Sequence, residues 1–310
     1  MNQTNDMAES PSEWVEVRVL GPEEWSELIA ERVAEVTGGS IAFGRSSRAA
    51  DPVPDGFELV RGFYPTTRDT EALRTKLAMG LVQLAEPTED ERLARLEPWF
   101  KPLPAEDWAN SWRKSWKPFR IGRLAVVTFD WGGTLRDSDV PLRLEPAGAF
   151  GTGRHPTTRR CLEWLAGQDL TGKRVLDAGC GSGILSVAAR LLGADYAFGF
   201  DIDERSAPEG QALAERNGIN SGLRLAHGGF ELLQGVVDPY DVVLANIYAD
   251  VLQDHAKTLF AALRPGGQWA FSGIHERHLD GTLEHLGSCG FENPLVRRTG
   301  RWATIISPAG

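Results

Sequence analysis

The sequence contains few cysteines and no long apolar segment. Its 310 residues include 3 cysteines, which are widely spaced at Cys161, Cys180 and Cys289. An odd and scattered set argues against a disulfide framework or a zinc cluster, and it is typical of a reducing cytoplasm. No stretch reaches the ~18 consecutive apolar residues of a membrane-spanning helix. Residues 1–12 are polar, so they predict a disordered tail rather than a secretory signal.

Basic residues are scarce in the first third of the chain. Residues 1–100 contain 19 acidic and 10 basic side chains, a net charge of −9, whereas residues 101–310 contain 24 and 23, a net charge of −1. A domain that binds nucleic acid normally has the opposite sign, so we expect no direct binding of nucleic acid. Two interpretations of the acidity stay open: attraction of a basic protein partner, and solubility alone.

Two different hydrophobic patterns follow each other along the chain. Over residues 13–101, strands and helices are predicted in the order β-α-β-β-α-β, the ferredoxin-like plan of a small α+β domain, with the fourth strand at Leu93–Phe100. From Gly172 onward, short apolar strands alternate with helices, which predicts a parallel sheet covered on both faces. The last two strands, Asn293–Arg298 and Trp302–Ser307, are predicted to form a terminal hairpin.

A tryptophan-rich helix is predicted between these two regions, over residues 102–118. Trp108, Trp112 and Trp116 recur every four residues, which places them on one face of a helix. We interpret this stripe as the surface that packs a linker helix against a domain, in preference to a platform on which a ligand stacks. The second predicted domain then covers residues 119–310.

A glycine-rich turn follows the first strand of the second domain. After Asp177 come Gly179, Gly181 and Gly183, in the register D-x-G-x-G-x-G. Glycines at this place let the backbone turn sharply and approach a ligand at the start of a helix. A dinucleotide site needs G-x-G-x-x-G, so the register disfavours a nicotinamide-dependent oxidoreductase. The pattern resembles the S-adenosylmethionine site of seven-stranded methyltransferases, where the glycine turn faces the methionine part of the cofactor.

Polar side chains end the second and fourth strands of the predicted sheet. Asp201, at the end of the second strand, can accept hydrogen bonds from both hydroxyls of a ribose, and the nearby Asp203 is a candidate helix cap. Asn246 ends the fourth strand, where its side-chain carbonyl can accept a hydrogen bond from an incoming amine. The alternative role of Asn246 is to cap the next helix. Phe230, after the third strand, either contacts an adenine or packs in the core.

A second glycine-rich segment lies upstream, over residues 145–158. Three glycines in six residues predict a mobile loop, and Phe150 with Gly151 predicts a lid over a cofactor, although an ordinary connection between domains is the alternative. Thr157 and Thr158 are candidates for capping the helix that follows. His155 is either a general base or a structural residue, and a lone histidine beside proline favours the structural role.

These segments together resemble one family, the bacterial ribosomal protein L11 methyltransferases (PrmA). The resemblance covers about residues 104–307 and is carried by the loop EPAGAFGTGRHPTT, the turn DAGCGSGIL, and the segments DID, ANI and SGI. It implies a class I, Rossmann-like methyltransferase with a seven-stranded α/β sheet and S-adenosylmethionine as cofactor. The family's cofactor contacts fall on Thr158, Gly179, Asp201 and Asn246, and the lid and turn add Phe150, Gly151, Gly181 and Gly183.

The resemblance also implies a substrate. In the family, the ferredoxin-like domain recognises ribosomal protein L11, and the catalytic domain methylates lysine side chains and the N-terminal amine by direct transfer. Asn246 is the implied catalytic residue, no metal is expected, and the sequence identifies no general base. We expect a cytoplasmic monomer without membrane contact. The alternatives are a class I methyltransferase for a small molecule or another protein, and a non-catalytic protein that binds S-adenosylmethionine.

Two residues depart from the family pattern. Ala147 stands where the family usually has glycine, and His275 follows Ser-Gly-Ile where leucine is common. The first departure predicts a stiffer lid. The second predicts a different entrance for the substrate.

Overall fold

The chain divides into two units. The computed structural model describes residues 13–38, 40–43, 53–88, 90–104, 118–129, 131–144, 153, 155–235 and 238–308. One unit is Met1–Lys117 with Pro146–Ala149, and the other is Pro118–Glu145 with Phe150–Gly310. The predicted tail, the tryptophan stripe of the linker helix and the lid residues Phe150 and Gly151 lie outside the described residues. The domain boundaries drawn from the sequence therefore stay a prediction. Within the described ranges, no helix is long and apolar enough to cross a membrane.

The described part of the first unit contains a four-stranded antiparallel sheet. Its strands are β1 (Glu13–Pro22), β2 (Ser40–Phe43), β3 (Phe57–Pro65) and β4 (Trp99–Pro104), in the order β2-β3-β1-β4. Its helices are α1 (Ser26–Thr37), α2 (Glu71–Val82) and the short α3 (Ala85–Thr88), with 3-10 helices at Glu23–Trp25, Thr66–Arg68 and Leu93–Arg95. Every neighbouring pair of strands is antiparallel, so the predicted ferredoxin-like plan is confirmed.

The core of this unit lies between the sheet and its helices. Val15, Val17 and Val19 of β1 are buried against α1 and α2, because alternate side chains of a strand point to the same face. The predicted strand at Leu93–Phe100 is wrong in its bounds. Leu93 belongs to a 3-10 helix and β4 begins at Trp99. Leu93 and Leu96 are three residues apart, a spacing that fits one turn of helix and is ambiguous in so short a segment.

The opposite face of the sheet contains a buried cluster of ions. Glu16 of β1 is 1% exposed, and its carboxylate contacts the guanidinium groups of Arg18 at 2.9 Å and of Arg61 on β3 at 2.5 Å. The two arginines stand opposite each other in the register of β1 and β3. Burial raises the pKa of the Glu16 carboxyl, but the hydrogen bonds and charges of both arginines outweigh it, and the net pKa is lowered. Glu16 is therefore held as a carboxylate inside the protein.

The substitution Glu16→Gln is expected to destabilise the first unit. It removes the negative charge of a side chain that is 1% exposed and weakens its contacts with two guanidinium groups that are 30% and 19% exposed, which we expect to cost about 1.5–3 kcal/mol of unfolding free energy. Urea unfolding followed by tryptophan fluorescence measures the loss. Glu35→Gln is the control, because Glu35 is 58% exposed and pairs with Arg32 at 3.3 Å, and exposed pairs contribute below about 1 kcal/mol. Equal losses in the two variants would contradict the prediction.

The described part of the second unit contains a small sheet and a large one. The small sheet consists of β5 (Phe119–Ile121), β6 (Leu124–Thr128) and β7 (Val140–Leu144) in that order. The strands of the large sheet are β8 (Arg174–Ala178), β9 (Tyr196–Asp201), β10 (Leu223–His227), β11 (Tyr240–Asn246), β12 (Leu263–His275), β13 (Leu295–Thr299) and β14 (Trp302–Ile306). The helices are α4 (Pro156–Ala166), α5 (Ile184–Leu191), α6 (Ser206–Arg216), α7 (Ala249–Ala262) and α8 (Leu279–Ser288), with 3-10 helices at Phe230–Leu233 and Glu276–His278.

The strand order of the large sheet determines where a ligand binds. The order is β10-β9-β8-β11-β12-β14-β13, in which β8 to β12 run parallel and β14 is antiparallel to both of its neighbours. The predicted doubly wound sheet with a terminal hairpin is therefore confirmed. The direction of winding reverses between β8 and β11. In open α/β sheets, ligands bind outside the carboxyl ends of the strands at such a switch point.

Candidate functional site

The turn from β8 into α5 lies at the carboxyl edge of the large sheet. Gly179, Gly181 and Gly183 have φ angles of +72°, +50° and +74°, which L side chains rarely adopt. A Cβ on Gly179 would lie 2.3 Å from the side chain of Ile247, and one on Gly183 would lie 3.0 Å from the Cα of Gly210. A Cβ on Gly181 would meet no atom of the described residues within 4 Å. No described residue therefore fills the space in front of the middle glycine.

Asp201, at the end of β9, holds the glycine turn in place. Its Oδ2 accepts the backbone N–H of Gly181 at 2.8 Å, and its Oδ1 accepts the backbone N–H of Asp203 at 2.9 Å. The carbonyl of Phe200 accepts the N–H groups of Gly179 and Cys180 at 2.9 and 3.0 Å. Each carboxylate oxygen has a second lone pair, so Asp201 retains the capacity to accept the hydroxyls of a ribose.

Asn246 and Thr158 meet at the same edge of the sheet. Asn246 ends β11, Thr158 lies in the first turn of α4, and the Nδ2 of the amide donates to the Thr158 hydroxyl at 3.1 Å. This bond orients the amide, so the Oδ1 of Asn246 faces away from Thr158. The alternative interpretation of Asn246 as a helix cap is wrong, because α7 begins at Ala249 with Tyr248 as its N-cap.

His155 has a structural role at the start of α4. It is the N-cap residue, and its Nδ1 accepts the backbone N–H of Thr157 at 3.2 Å and contacts the hydroxyl of the same threonine. Burial lowers the pKa of His155 to about 4, so its imidazole is neutral at pH 7 and a weak base. The prediction that Thr157 or Thr158 caps α4 is wrong, because both lie inside the first turn, after Pro156.

Asp177 lies beneath the glycine turn and is fully buried. Its Oδ2 accepts the backbone N–H and the hydroxyl of Ser186 at 3.1 and 2.7 Å. Its Oδ1 has no hydrogen-bond partner among the residues that the structure describes. Burial raises the pKa of Asp177 to about 6, the charge of Asp201 contributes to the rise, and Ser186 opposes it. The sequence interpretation assigned Asp177 no role, although its place at the head of the glycine turn was an available signal.

The Ser272-Gly273-Ile274 segment allows the ends of β11 and β12 to approach closely. Gly273 has a φ of +84°, and a Cβ there would lie 2.5 Å from the carbonyl oxygen of Ile247. The pairing of β12 with β14 shifts register between Phe271 and Ile274. Ser272 stays attached to β14 through a hydroxyl contact of 2.7 Å with Thr304. This close approach places the backbone beside Asn246, and the sequence interpretation gave these residues no such role.

Two aromatic clusters border the site. Phe230 stacks on His255 with 3.8 Å between ring centroids and meets the edge of Phe200 at 5.3 Å, which supports its interpretation as a core residue.

Trp302 lies between His155 and His275, with ring centroids 5.7 and 5.8 Å away. The Nδ1 of His275 accepts a backbone N–H two residues further along, and burial lowers its pKa. The different substrate entrance expected from His275 stays a prediction, and Ala147 lies outside the described residues.

Comparison with known proteins identifies the family. The model of the family described as ribosomal protein L11 methyltransferase (PrmA) matches residues 13–309. This chain belongs to that family. The ribosomal protein L11 methyltransferases of Photobacterium profundum and Pseudomonas paraeruginosa are 33% and 35% identical to it, over 94% of this chain in both cases and 98% and 97% of theirs. The crystal structure of the ribosomal protein L11 methylase from Lactobacillus delbrueckii subsp. bulgaricus matches with a TM-score of 0.55 and 30% identity, over 62% of this chain and 97% of that one.

The resemblance drawn from the sequence is thus confirmed, and the chain is an S-adenosylmethionine-dependent methyltransferase. The described residues fit this cofactor in three respects. Within the described part of the chain, no residue fills the space before Gly181, Asp201 keeps acceptor capacity beside it, and Asp177 has a buried oxygen without a partner. The individual contacts assigned from the sequence stay predictions.

Asp177 makes the stability of the second unit depend on pH. Its pKa is about 6 in the folded protein against an ordinary value of 3.8, so folding favours the protonated form. This stabilisation is fully present below about pH 4 and is lost as the pH rises through about 6, and the difference corresponds to about 3 kcal/mol. We expect the wild-type protein to lose about 2 kcal/mol of this stabilisation relative to Asp177→Asn between pH 4 and pH 7 in denaturant unfolding, because an unfolded aspartate is already about half ionised at pH 4. Asp195→Asn, at an exposed aspartate, is the control. A pH-independent difference between wild type and Asp177→Asn would refute the prediction.

Proposed function

We propose that this protein transfers methyl groups from S-adenosylmethionine to amines of ribosomal protein L11. The observation that carries the proposal is the hydrogen bond from Asn246 to Thr158 at the switch point, where the glycine turn and Asp201 also lie. The names of the family and of the relatives state the same substrate for those proteins. The acceptors that we propose are lysine side chains and the N-terminal amine.

The glycine turn and Asp201 form the cofactor side of the proposed site. S-adenosylmethionine supplies, when bound, a methyl group on a positively charged sulfonium. Gly179, Gly181 and Gly183 allow close approach to the backbone, and Asp201 accepts ribose hydroxyls through its remaining lone pairs. Thr158 and Asn246 complete the cofactor contacts. We further propose Phe150 and Gly151 as lid residues, on the sequence pattern alone.

Asn246 is the proposed catalytic residue on the amine side. The acceptor amine must be neutral, and a lysine with its ordinary pKa of about 10.4 is only ~0.04% neutral at pH 7. The Oδ1 of Asn246 accepts a hydrogen bond from the amine and so orients its lone pair. His155 is a poor candidate for the base, because its Nδ1 already accepts the N–H of Thr157. The proton therefore passes to solvent in this proposal.

The acidity of the first unit fits a basic substrate. Residues 1–100 carry a net charge of −9, and proteins that bind RNA are normally basic. Opposite charges accelerate the encounter of two proteins and favour the correct partner. We propose that the first unit recognises ribosomal protein L11 and that the enzyme acts as a cytoplasmic monomer without binding nucleic acid itself.

Mass spectrometry of purified ribosomal protein L11 tests the function directly. After incubation with the enzyme and S-adenosylmethionine, we expect methyl-sized mass increments on lysine-containing peptides and on the N-terminal peptide. A reaction without S-adenosylmethionine is the control. Unmodified ribosomal protein L11 would overturn the proposal. Methylation of a different protein or of a small molecule would favour the alternative class I methyltransferase.

Asn246→Ala is expected to lower kcat by about 10²–10³-fold, because it removes one preorganised polar contact with the reacting group. Thr158→Val keeps the amide but removes the hydroxyl that orients it, so its loss is expected to be smaller. Single-turnover methylation of ribosomal protein L11 measures both rates. Asn220→Ala, at an exposed asparagine of the same unit, should match the wild type. A wild-type kcat in Asn246→Ala would remove Asn246 from the mechanism.

A further inference from the structure

An apolar groove runs along the outer face of α2 in the first unit. It has a volume of about 390 Å³ and is lined by Ala78, Met79, Val82 and Gln83 of the α2 region and by Leu96–Pro98. The groove takes no part in the site at the switch point, which belongs to the second unit. The groove is therefore separate from the proposed site of methyl transfer.

The exposed apolar side chains of the groove contradict the usual pattern of a surface helix. Met79 is 60% exposed and Val82 is 46% exposed, whereas Leu77 and Leu81 of the same helix are fully buried. A helix with one face in solvent normally has polar residues on that face. Trp99, the residue after Pro98, is also 60% exposed. An exposed apolar patch of this kind marks a binding surface.

The groove is built on well-anchored parts of the fold. Leu96 on its floor is 6% exposed and belongs to the core of the first unit. Thr70 caps α2, and its hydroxyl accepts the backbone N–H of Leu73 at 3.1 Å. Surfaces on such elements change little when a partner binds, so the groove is preformed.

We propose that this groove binds an apolar side chain of ribosomal protein L11 and thereby docks the protein substrate. Glu97 is the charged residue among the described residues that line the groove, and residues 1–100 carry a net charge of −9. The acidic surface attracts a basic protein, and the apolar groove holds it at a defined place. This inference rests on the proposed function, because it takes its partner from there.

The charge favours this occupant over two others. A second copy of the chain would bring two segments 1–100 together, each with a net charge of −9, and like charges oppose such an association. The negatively charged surface of a membrane is disfavoured for the same reason. A basic protein is attracted by the acidic surface and is also bound by the apolar contact in the groove.

Two substitutions of opposite charge at one groove residue test the proposal. Val82→Glu and Val82→Lys both make the groove polar, and both should raise the KM for ribosomal protein L11 about tenfold, with the larger effect for lysine. The kcat at saturating substrate and the Kd of S-adenosylmethionine should stay at wild-type values, which also shows that the variants fold. Leu295→Glu is the matched control, since Leu295 is 44% exposed and begins β13, the outermost strand of the large sheet, which β12 and β14 separate from β11.

The possible outcomes separate this inference from the proposed function. Wild-type KM values in both Val82 variants, or an equal rise in Leu295→Glu, would overturn the groove as the docking surface while methylation itself remains. A wild-type enzyme that does not methylate ribosomal protein L11 would overturn the proposed function and the inference with it. Sedimentation adds one further outcome: a dimer that Val82→Lys dissociates, with an unchanged KM, would assign the groove to a second copy.

Discussion

The hydrogen bond from the backbone of Gly181 to the carboxylate of Asp201 is the interaction on which the site depends. It joins the turn after β8 to the end of β9, and it holds glycines at φ angles that other residues rarely adopt. The same carboxylate is the proposed partner of the ribose. Binding and local architecture therefore share one side chain, so a change at Asp201 disturbs the turn as well as the contact. Asp177 lies under the same turn, and its raised pKa reflects burial together with the neighbouring charge of Asp201.

The other half of the site depends on close approach between elements that are distant in sequence. Asn246 reaches Thr158 across 88 residues because the reversal of strand order places β11 beside β8 and allows α4 to pack at the same edge. Gly273 permits this arrangement, since any Cβ there would collide with the carbonyl of Ile247. The pairing of Ser272 with Thr304 then connects the bulge to the terminal hairpin. The hairpin thus contacts the segment that pairs with Asn246 at the end of β11.

Features that depend on local sequence were predictable, and features that depend on tertiary contact were not. The glycine spacing and the apolar strands indicated the fold because backbone freedom and periodic burial are local properties. The predicted cap of α4 was wrong because threonine is one of the preferred capping residues, whereas here the histidine before Pro156 accepts the backbone N–H. The predicted start of β4 was wrong because Leu93 and Leu96, three residues apart, fit both a helical turn and a short strand. The bond between Asn246 and Thr158 has no local signal at all.

The chemistry of the proposed site favours recognition of the protein substrate at another surface. The proposed contact with the amine is the side-chain amide of Asn246, a neutral group that treats every unprotonated lysine alike. Such a site orients an amine but does not choose among proteins. Binding energy obtained at a remote surface can make this choice and also hold the amine near the cofactor, where proximity accounts for much of the rate. A separate acidic unit with a preformed apolar groove has the properties that this division requires. In the proposed function, the first unit therefore selects the protein substrate, and the second unit holds the amine that receives the methyl group.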